Sequence, residues 1–240
     1  GTQQVTASGG TVSLRKGVEY ILTASYNDEH STNTWITTEN GTLGNATSPA
    51  TTYTVIGTAT LTLTSTTKTG ATTLDTGQSL NAKMKTLAEG KSTSYNTSSS
   101  KIKAIKMSNS LPVGFTPTTS NTVSVSNSEK PIYIFFDNTD NAGIMYFYTE
   151  ARDIYMNVNS SDAFYYNTAL ADISAVSNWN TSSVTNMSGM FHHAHALTNI
   201  DGASSWNTSN VTNMSNMFYG AHALTNIDGA RNWNTESVTN

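Results

Sequence analysis

Ser177–Thr198 reads SNWNTSSVTNMSGMFHHAHALT, and Ser204–Thr225 reads SSWNTSNVTNMSNMFYGAHALT. A third copy opens at Asn232 with NWNTESVTN and ends with the chain. Trp179, Trp206 and Trp233 recur every 27 residues, as do Val184, Val211 and Val238. Met187/Met214, Met190/Met217, Phe191/Phe218, Leu197/Leu224 and Ile200/Ile227 keep the same period. Phe164, Leu170 and Ile173 mark a degenerate earlier copy. A unit this short cannot bury its own apolar side, so it has to stack on its neighbours. Stacking turns each recurring residue into a column, with rungs at the strand spacing of about 4.8 Å.

The expected core is therefore Trp179, Val184, Met187, Phe191, Leu197 and Ile200, continued by Trp206, Val211, Met214, Phe218, Leu224 and Ile227 and then by Trp233 and Val238. Within a unit, Val184–Met187 suits a short strand and turn, Met190–Ala194 one helical or 3₁₀ turn, and Leu197–Ile200 an extended return. Asn186, Asn213 and Asn240 form a further column, expected to be an asparagine ladder whose amides satisfy turn groups of neighbouring units.

The pattern W-N-T-S-x-V-T-N-M-S-x-M-F followed by A-x-x-L-T-x-I resembles the BspA-type leucine-rich-repeat variant of bacterial surface proteins. The resemblance implies a curved solenoid at residues 156–240, truncated at its C-terminus. It also implies a secreted protein at the bacterial cell surface, and adhesion to host or matrix proteins. It supplies no catalytic residue.

Upstream, Val12–Leu14, Tyr20–Tyr26, Asn33–Thr37 and Thr51–Leu63 alternate apolar with polar, which is the signature of half-buried strands. Gly9-Gly10, Gly17, Asn40-Gly41, Gly44 and Gly57 punctuate them. With one central Trp35, residues 1–67 read as an Ig-like β-sandwich, and the run GGTVSLRKGVEYILTASYN resembles internalin-B-type and other bacterial Ig-like repeats. Residues 68–77 (KTGATTLDTG) read as a linker. Ser79–Glu89 places Leu80, Met84, Leu87 and Ala88 on one helical face, with Gly90 as its stop. Ile102–Met107, Thr122–Ser126, Pro131–Phe136, Ile144–Thr149 and Asp153–Val158 read as strands. Residues 78–155, a helix plus strands, thus suit the atypical cap that the first repeat requires. The fold class is mainly β with short helices: an N-terminal Ig-like sandwich, then a capped solenoid of 27-residue repeats.

Composition narrows the function. Only 12% of residues are charged, roughly half the usual share for a soluble domain, and the net charge is −4. That combination excludes the low-hydrophobicity, high-charge signature of disorder and lacks the basic patch that nucleic acid requires. No apolar stretch reaches a membrane span of about 20 residues, so no direct membrane insertion is expected. The absence of cysteine excludes disulfides, thiolate metal sites and Cys nucleophiles.

The chemistry-bearing residues are few. His192, His193 and His195, with His222 one repeat after His195, would suit zinc or nickel, but no carboxylate or thiolate completes a shell. They read as exposed turn histidines. Asp201 and Asp228, beside Gly202 and Gly229, read as turn residues rather than a calcium pair. They fail as a hydrolytic dyad because a repeat duplicates one environment where acid–base chemistry needs two. The columns Thr181/Thr208/Thr235 and Thr185/Thr212/Thr239 suit exposed strand faces better than ice binding. No enzyme, cofactor or metal is expected. The expected role is recognition of a host or matrix protein or a glycan. Two alternatives stand beside it: a carbohydrate-binding solenoid using Tyr146, Tyr148, Tyr165 and Tyr166, and a passive stalk. The last copy stops before its return segment, so Trp233 and Val238 are expected to lie partly uncovered.

Overall fold

The structure, a computed structural model, describes residues 68–240 throughout. Before that it describes the backbone of seven strands and the side chains of Leu14, Tyr20, Leu22 and Thr62. The turns read at Gly9, Gly17, Asn40, Gly44 and Gly57, and the ring of Trp35, lie outside the described residues. The described chain is built mainly of strands, with one α-helix and short 3₁₀ turns. It divides into two compact units, residues 1–69 with 109–114 and residues 70–108 with 115–240.

In the first unit β1 (Gln3–Ala7), β3 (Glu19–Ala24), β5 (Gly41–Leu43) and β6 (Ala50–Val55) form one sheet in the order β1-β3-β6-β5. Strands β2 (Gly10–Leu14), β4 (Ser31–Thr37) and β7 (Ala59–Thr67) form another in the order β2-β7-β4. All these pairings are antiparallel except β1 with β3. Leu14, Tyr20 and Leu22 are buried. Tyr20 and Leu22 alternate along β3 with Ile21, so these two point to one face.

The second unit opens on a short strand. Residues 68–77 are not a linker: Ala71–Thr73 is a strand, β8, parallel to β12 (Asp153–Tyr155), which is itself parallel to β13 (Trp179–Asn180). The segment carries β-branched Thr72 and Thr73 and an apolar Leu74, and alternates in burial as a strand does. Helix α1 (Gly77–Glu89) follows and stops at Gly90, whose φ of 69° is the left-handed cap that glycine adopts without strain. Leu80, Met84 and Ala88 are buried on its inner face. A sheet of β9 (Ala104–Met107), β10 (Ile132–Asp137) and β11 (Ile144–Thr149) in the order β10-β11-β9 carries Ile132, Ile134, Met145 and Phe147 inward. Thr122–Ser126 is not a strand. Thr122 bridges Tyr133 and Ser124 bridges Leu74, so no two consecutive pairs build a ladder.

From β12 onward the chain coils with the 27-residue period, and equivalent residues sit against each other. Asn159, Asn186 and Asn213 are bridged in parallel, as are Asn199 and Asn226. The N–H groups of Met187, Gly189, Phe191 and His193 donate to the carbonyls of Asn213, Ser215, Met217 and Tyr219, at 2.7–2.9 Å. Gly202 and Gly229 permit this closeness. A Cβ on Gly202 would lie 2.3 Å from the Ile173 carbonyl oxygen, and one on Gly229 would lie 2.1 Å from that of Ile200.

The coils hold less regular structure than their periodicity implied. Val184–Met187 and Leu197–Ile200 contribute isolated bridges rather than strands. Asx turns explain it: Asn180, Asn186 and Asn199 each accept, through Oδ1, the N–H two residues on, and Asn207, Asn213 and Asn226 repeat this. Each turn bends the chain before a ladder can extend. The asparagine column is therefore corrected in kind. Its rungs are backbone bonds, and the amide oxygens of Asn186 and Asn213 serve their own turns. The 3₁₀ turns lie at Ser174–Asn178, Asp201–Ala203 and Asp228–Ala230, not at Met190–Ala194. Left-handed residues at 189 and 193 interrupt any helix there.

One apolar core runs from Leu74 through α1 and the sheet into the coils as far as Met217. Trp179, Val184, Met187, Phe191, Leu197, Ile200, Trp206 and Val211 are buried in it. Phe164, Phe191 and Phe218 stack at 5.4 and 5.8 Å, and each packs on the tryptophan that opens the following repeat: Trp179, Trp206 and Trp233. Trp206 stacks on Trp233 at 6.0 Å. The indole N–H of Trp206 donates to the Val176 carbonyl, and that of Trp233 to Ala203.

Toward Asn240 cover runs out. Met214, Phe218, Leu224, Trp233 and Val238 are half-buried, and Ile227 is 61% exposed although it repeats the buried Ile200. Ile227 is therefore a surface residue here rather than part of the core. An open hollow of about 470 Å³ lies at this end, lined by Met214, Met217, Phe218, Tyr219 and Trp233 among others.

Candidate functional site

Successive coils bring tyrosines and histidines into one continuous row. Tyr165, His192 and Tyr219 occupy one repeat position, with ring centroids 4.4 and 4.9 Å apart and near-parallel planes. Tyr166 and His193 occupy the next, at 4.5 Å. His195 and His222 stack at 5.4 Å, and Tyr95 meets Tyr165 edge-on at 6.1 Å. The row deepens toward helix α1: Tyr165, Tyr166, His192 and His193 are half-buried, while His195, Tyr219 and His222 are exposed.

Helix α1 fixes one end of this row through two polar residues that its apolar pattern conceals. Asn81 and Lys85 are both fully buried. The Lys85 ammonium donates to the carbonyls of Tyr95 and Tyr165 at 2.5 and 2.6 Å. Asn81 donates to those of Asp162 and Tyr165 at 2.8 and 2.9 Å, and accepts from Asn167. Burial holds the Lys85 amine down at about 7, against the pull of nearby Asp162.

The backbone beneath the row is left-handed at two positions in each coil. Asp162, Gly189 and Asn216 hold the first, and all three residue types adopt it readily. At the second, Tyr166 and His193 have φ of 56°, where the next coil places Gly220 at 73°. Glycine is the relaxed choice there, so ring-bearing residues at 166 and 193 carry strain of about 1 kcal/mol each.

Burial favours the neutral forms of Tyr165, His192 and His193. Burial and the neighbouring His193 hold His192 below the ordinary imidazole range, opposed by Asp162. Burial, His195 and His222 do the same for His193. Burial, then Tyr166, Asp162 and Tyr95, raise the Tyr165 phenol. His193 Nδ1 and His195 Nε2 lie 3.0 Å apart. Among the described residues no group of three or more His, Cys, Asp or Glu is placed to hold a metal ion.

The other sequence candidates fall elsewhere. Asp201 and Asp228 are exposed and open 3₁₀ turns, with Arg231 paired to Asp228 at 3.3 Å. Thr181 and Thr208 are buried rather than on an exposed face, and their hydroxyls donate to the carbonyls of Asn207 and Asn234. Thr185, Thr212 and Thr239 donate one coil back in the same manner. Tyr146 stacks on Phe135 at 5.2 Å on the outer face of the sheet, away from the row's own contacts. The Tyr165–His192–Tyr219 alignment escaped the sequence reading because the residue type changes along it. Only the common 27-residue spacing signals it.

Residues 147–240 match a sequence family described as "Mycoplasma protein of unknown function, DUF285". The matched stretch contains every repeat unit, and it fits the resemblance to BspA-type surface proteins carried by the same residues. No curated protein and no solved structure matches the chain. Among the described residues no helix is long and apolar enough to cross a membrane.

Proposed function

We propose that this chain is a non-enzymatic recognition module of a secreted bacterial surface protein. In this reading residues 70–240 form a capped solenoid of leucine-rich-repeat type, and the N-terminal strands form an Ig-like sandwich. The solenoid binds a host or matrix protein through the row formed by Tyr95, Tyr165, Tyr166, His192, His193, His195, Tyr219 and His222.

The observation that carries the reading is that row: eight polar aromatic rings, contributed by the cap and successive coils, joined edge to edge and face to face. Solenoids present extended surfaces of this kind, and tyrosine is enriched where proteins bind proteins. The geometry favours a protein over a sugar. Stacking on a sugar needs a free ring face, whereas the faces of Tyr165 and His192 are covered by one another and by Tyr219. The row offers ring edges, with phenol and imidazole groups suited to hydrogen bonding with peptide.

An array of extracellular-matrix proteins and glycans probed with the full chain tests this. Expected is binding to protein spots that is lost in a Tyr219→Ser/His222→Ser variant, whose substitutions are exposed and spare the core. Binding confined to glycans would replace this reading with the carbohydrate one, and protein binding indifferent to the two substitutions would move the site off the row.

A further inference from the structure

We propose that His192, His193, His195 and His222 make the outer part of the row an acid-operated switch, closed while their rings are neutral and opened when they take up protons. The four rings form one chain of contacts, with centroids 4.5, 5.2 and 5.4 Å apart in that order.

Two features of this chain fail on protonation. Nδ1 of His193 and Nε2 of His195 lie 3.0 Å apart in a hydrogen bond, which needs a proton on one nitrogen and a lone pair on the other. When both rings are fully protonated, two N–H groups stand head to head and the contact breaks. Nδ1 of His192 is buried with no hydrogen-bond partner among the described residues. A bare lone pair is tolerated there, but a protonated ring would bury an N–H without an acceptor.

The surroundings do little to offset the added charge. The carboxylate that acts on His192 is Asp162, which also accepts from Gln78 of α1 at 2.9 Å and acts on Lys85 of the same helix. The faces of His192 are covered by the uncharged rings of Tyr165 and Tyr219. His193 is faced by His195 and His222, and by the rings of Tyr166 and Tyr219. Burial first, then these neighbouring imidazoles, hold His192 and His193 below the ordinary imidazole range. The closed row therefore binds fewer protons than an opened one. Its stabilisation is present above the ordinary imidazole value of about 6.5 and is lost as pH falls below it. What opens is the adjoining seam, where the N–H groups of Phe191 and His193 donate to the carbonyls of Met217 and Tyr219. This switch is a property of the fold and stands whether or not the row binds a protein.

Amide hydrogen exchange of the full chain at about pH 7 and about pH 5, corrected for the intrinsic effect of pH, tests it. Protection at Phe191 and His193 should fall about tenfold or more in acid, while Ile134 and Phe147 in the sheet change by less than about twofold. In His193→Gly/His195→Gln, which gives position 193 the residue that Gly220 supplies one coil later, the acid loss at Phe191 should shrink to about threefold or less. Lys85→Met should leave the loss intact, which assigns it to the imidazoles. Ring-nitrogen NMR of the wild-type chain reads the same event without any substitution: His192 and His193 should gain their second ring protons below about pH 6.5, in step with the loss of the His193–His195 contact. The proposal is overturned if wild-type protection is the same at both pH values, or if the double variant loses as much as the wild type. It is equally overturned if Lys85→Met abolishes the loss, or if both rings become charged while the contact persists.

Discussion

Lys85 shows how much a single residue can hide. By spacing it lies beside the apolar face of α1, where a lysine is ordinarily solvent-exposed, yet it is fully buried and ties two tyrosine carbonyls together. Its amine sits at about 7 in the folded chain against an ordinary 10.5. Between those values the unfolded chain holds a proton that the folded chain has released, so stability rises with pH across that window. Below about pH 7 both states are protonated and the burial penalty stands in full. We expect the unfolding free energy to increase by a few kcal/mol from pH 7 to pH 10, and Lys85→Met to flatten that rise. Chemical denaturation across the window checks it, and a wild-type profile that is flat or falls would remove the buried amine as its cause. The recurring Trp, Phe, Val and Leu positions were legible from spacing alone, because a column of identical residues has one environment. Lys85 and Asn81 were not, because nothing in the sequence marks the carbonyls they reach.

At the scale of elements, existence was easier to read than type. The helix before Gly90 and strands β10 and β11 follow from their apolar periods, 3.6 and 2 residues respectively. The coils follow from neither. Their Asn-x-Ser and Asn-x-Asp corners prefer side-chain-closed turns, and this local chemistry overrides the β-propensity of Val184 and Val211. β8 was concealed by Gly70 and Gly77, which read as linker glycines but flank a three-residue strand. Glycine is therefore not one signal here. Gly202→Ala has no left-handed backbone to violate but would drive a Cβ against the Ile173 carbonyl, and is expected to cost about 2 kcal/mol or more. Gly90→Ala meets nothing within 4 Å and pays only for its left-handed φ, about 1 kcal/mol. Paired melting curves rank the two, and the reverse order would refute the close-approach account of Gly202.

For the whole molecule, cohesion falls along the stack. The coil holding Phe191 has neighbours on both sides, whereas residues 231–240 have one neighbour and only half-buried or exposed side chains. Local stability should follow that gradient. Amide hydrogen exchange is expected to be far faster in 231–240 than in 177–200, and fusing one further repeat after Asn240 should slow it. Equal protection in the unfused chain would show that the open end is held by contacts other than stacking. The sequence suggests four parts, 1–67, 68–77, 78–155 and 156–240, whereas the contacts group the described chain into two units, the first with its main stretch ending at residue 69. The return of 109–114 to the first unit was not legible, because that short stretch, SLPVG within it, carries no period of its own.

The bonds between coils have a mechanical consequence. Met187, Gly189, Phe191 and His193 donate to the neighbouring coil side by side, each bond lying across the seam between coils. Tension applied at Asn240 would therefore meet these bonds one at a time, as a zipper does, rather than loading them together as in shear. Each coil that peels frees 27 residues, about 90 Å of slack, while the coils beneath keep their own seams closed. A stack bonded this way would yield in small instalments rather than all at once.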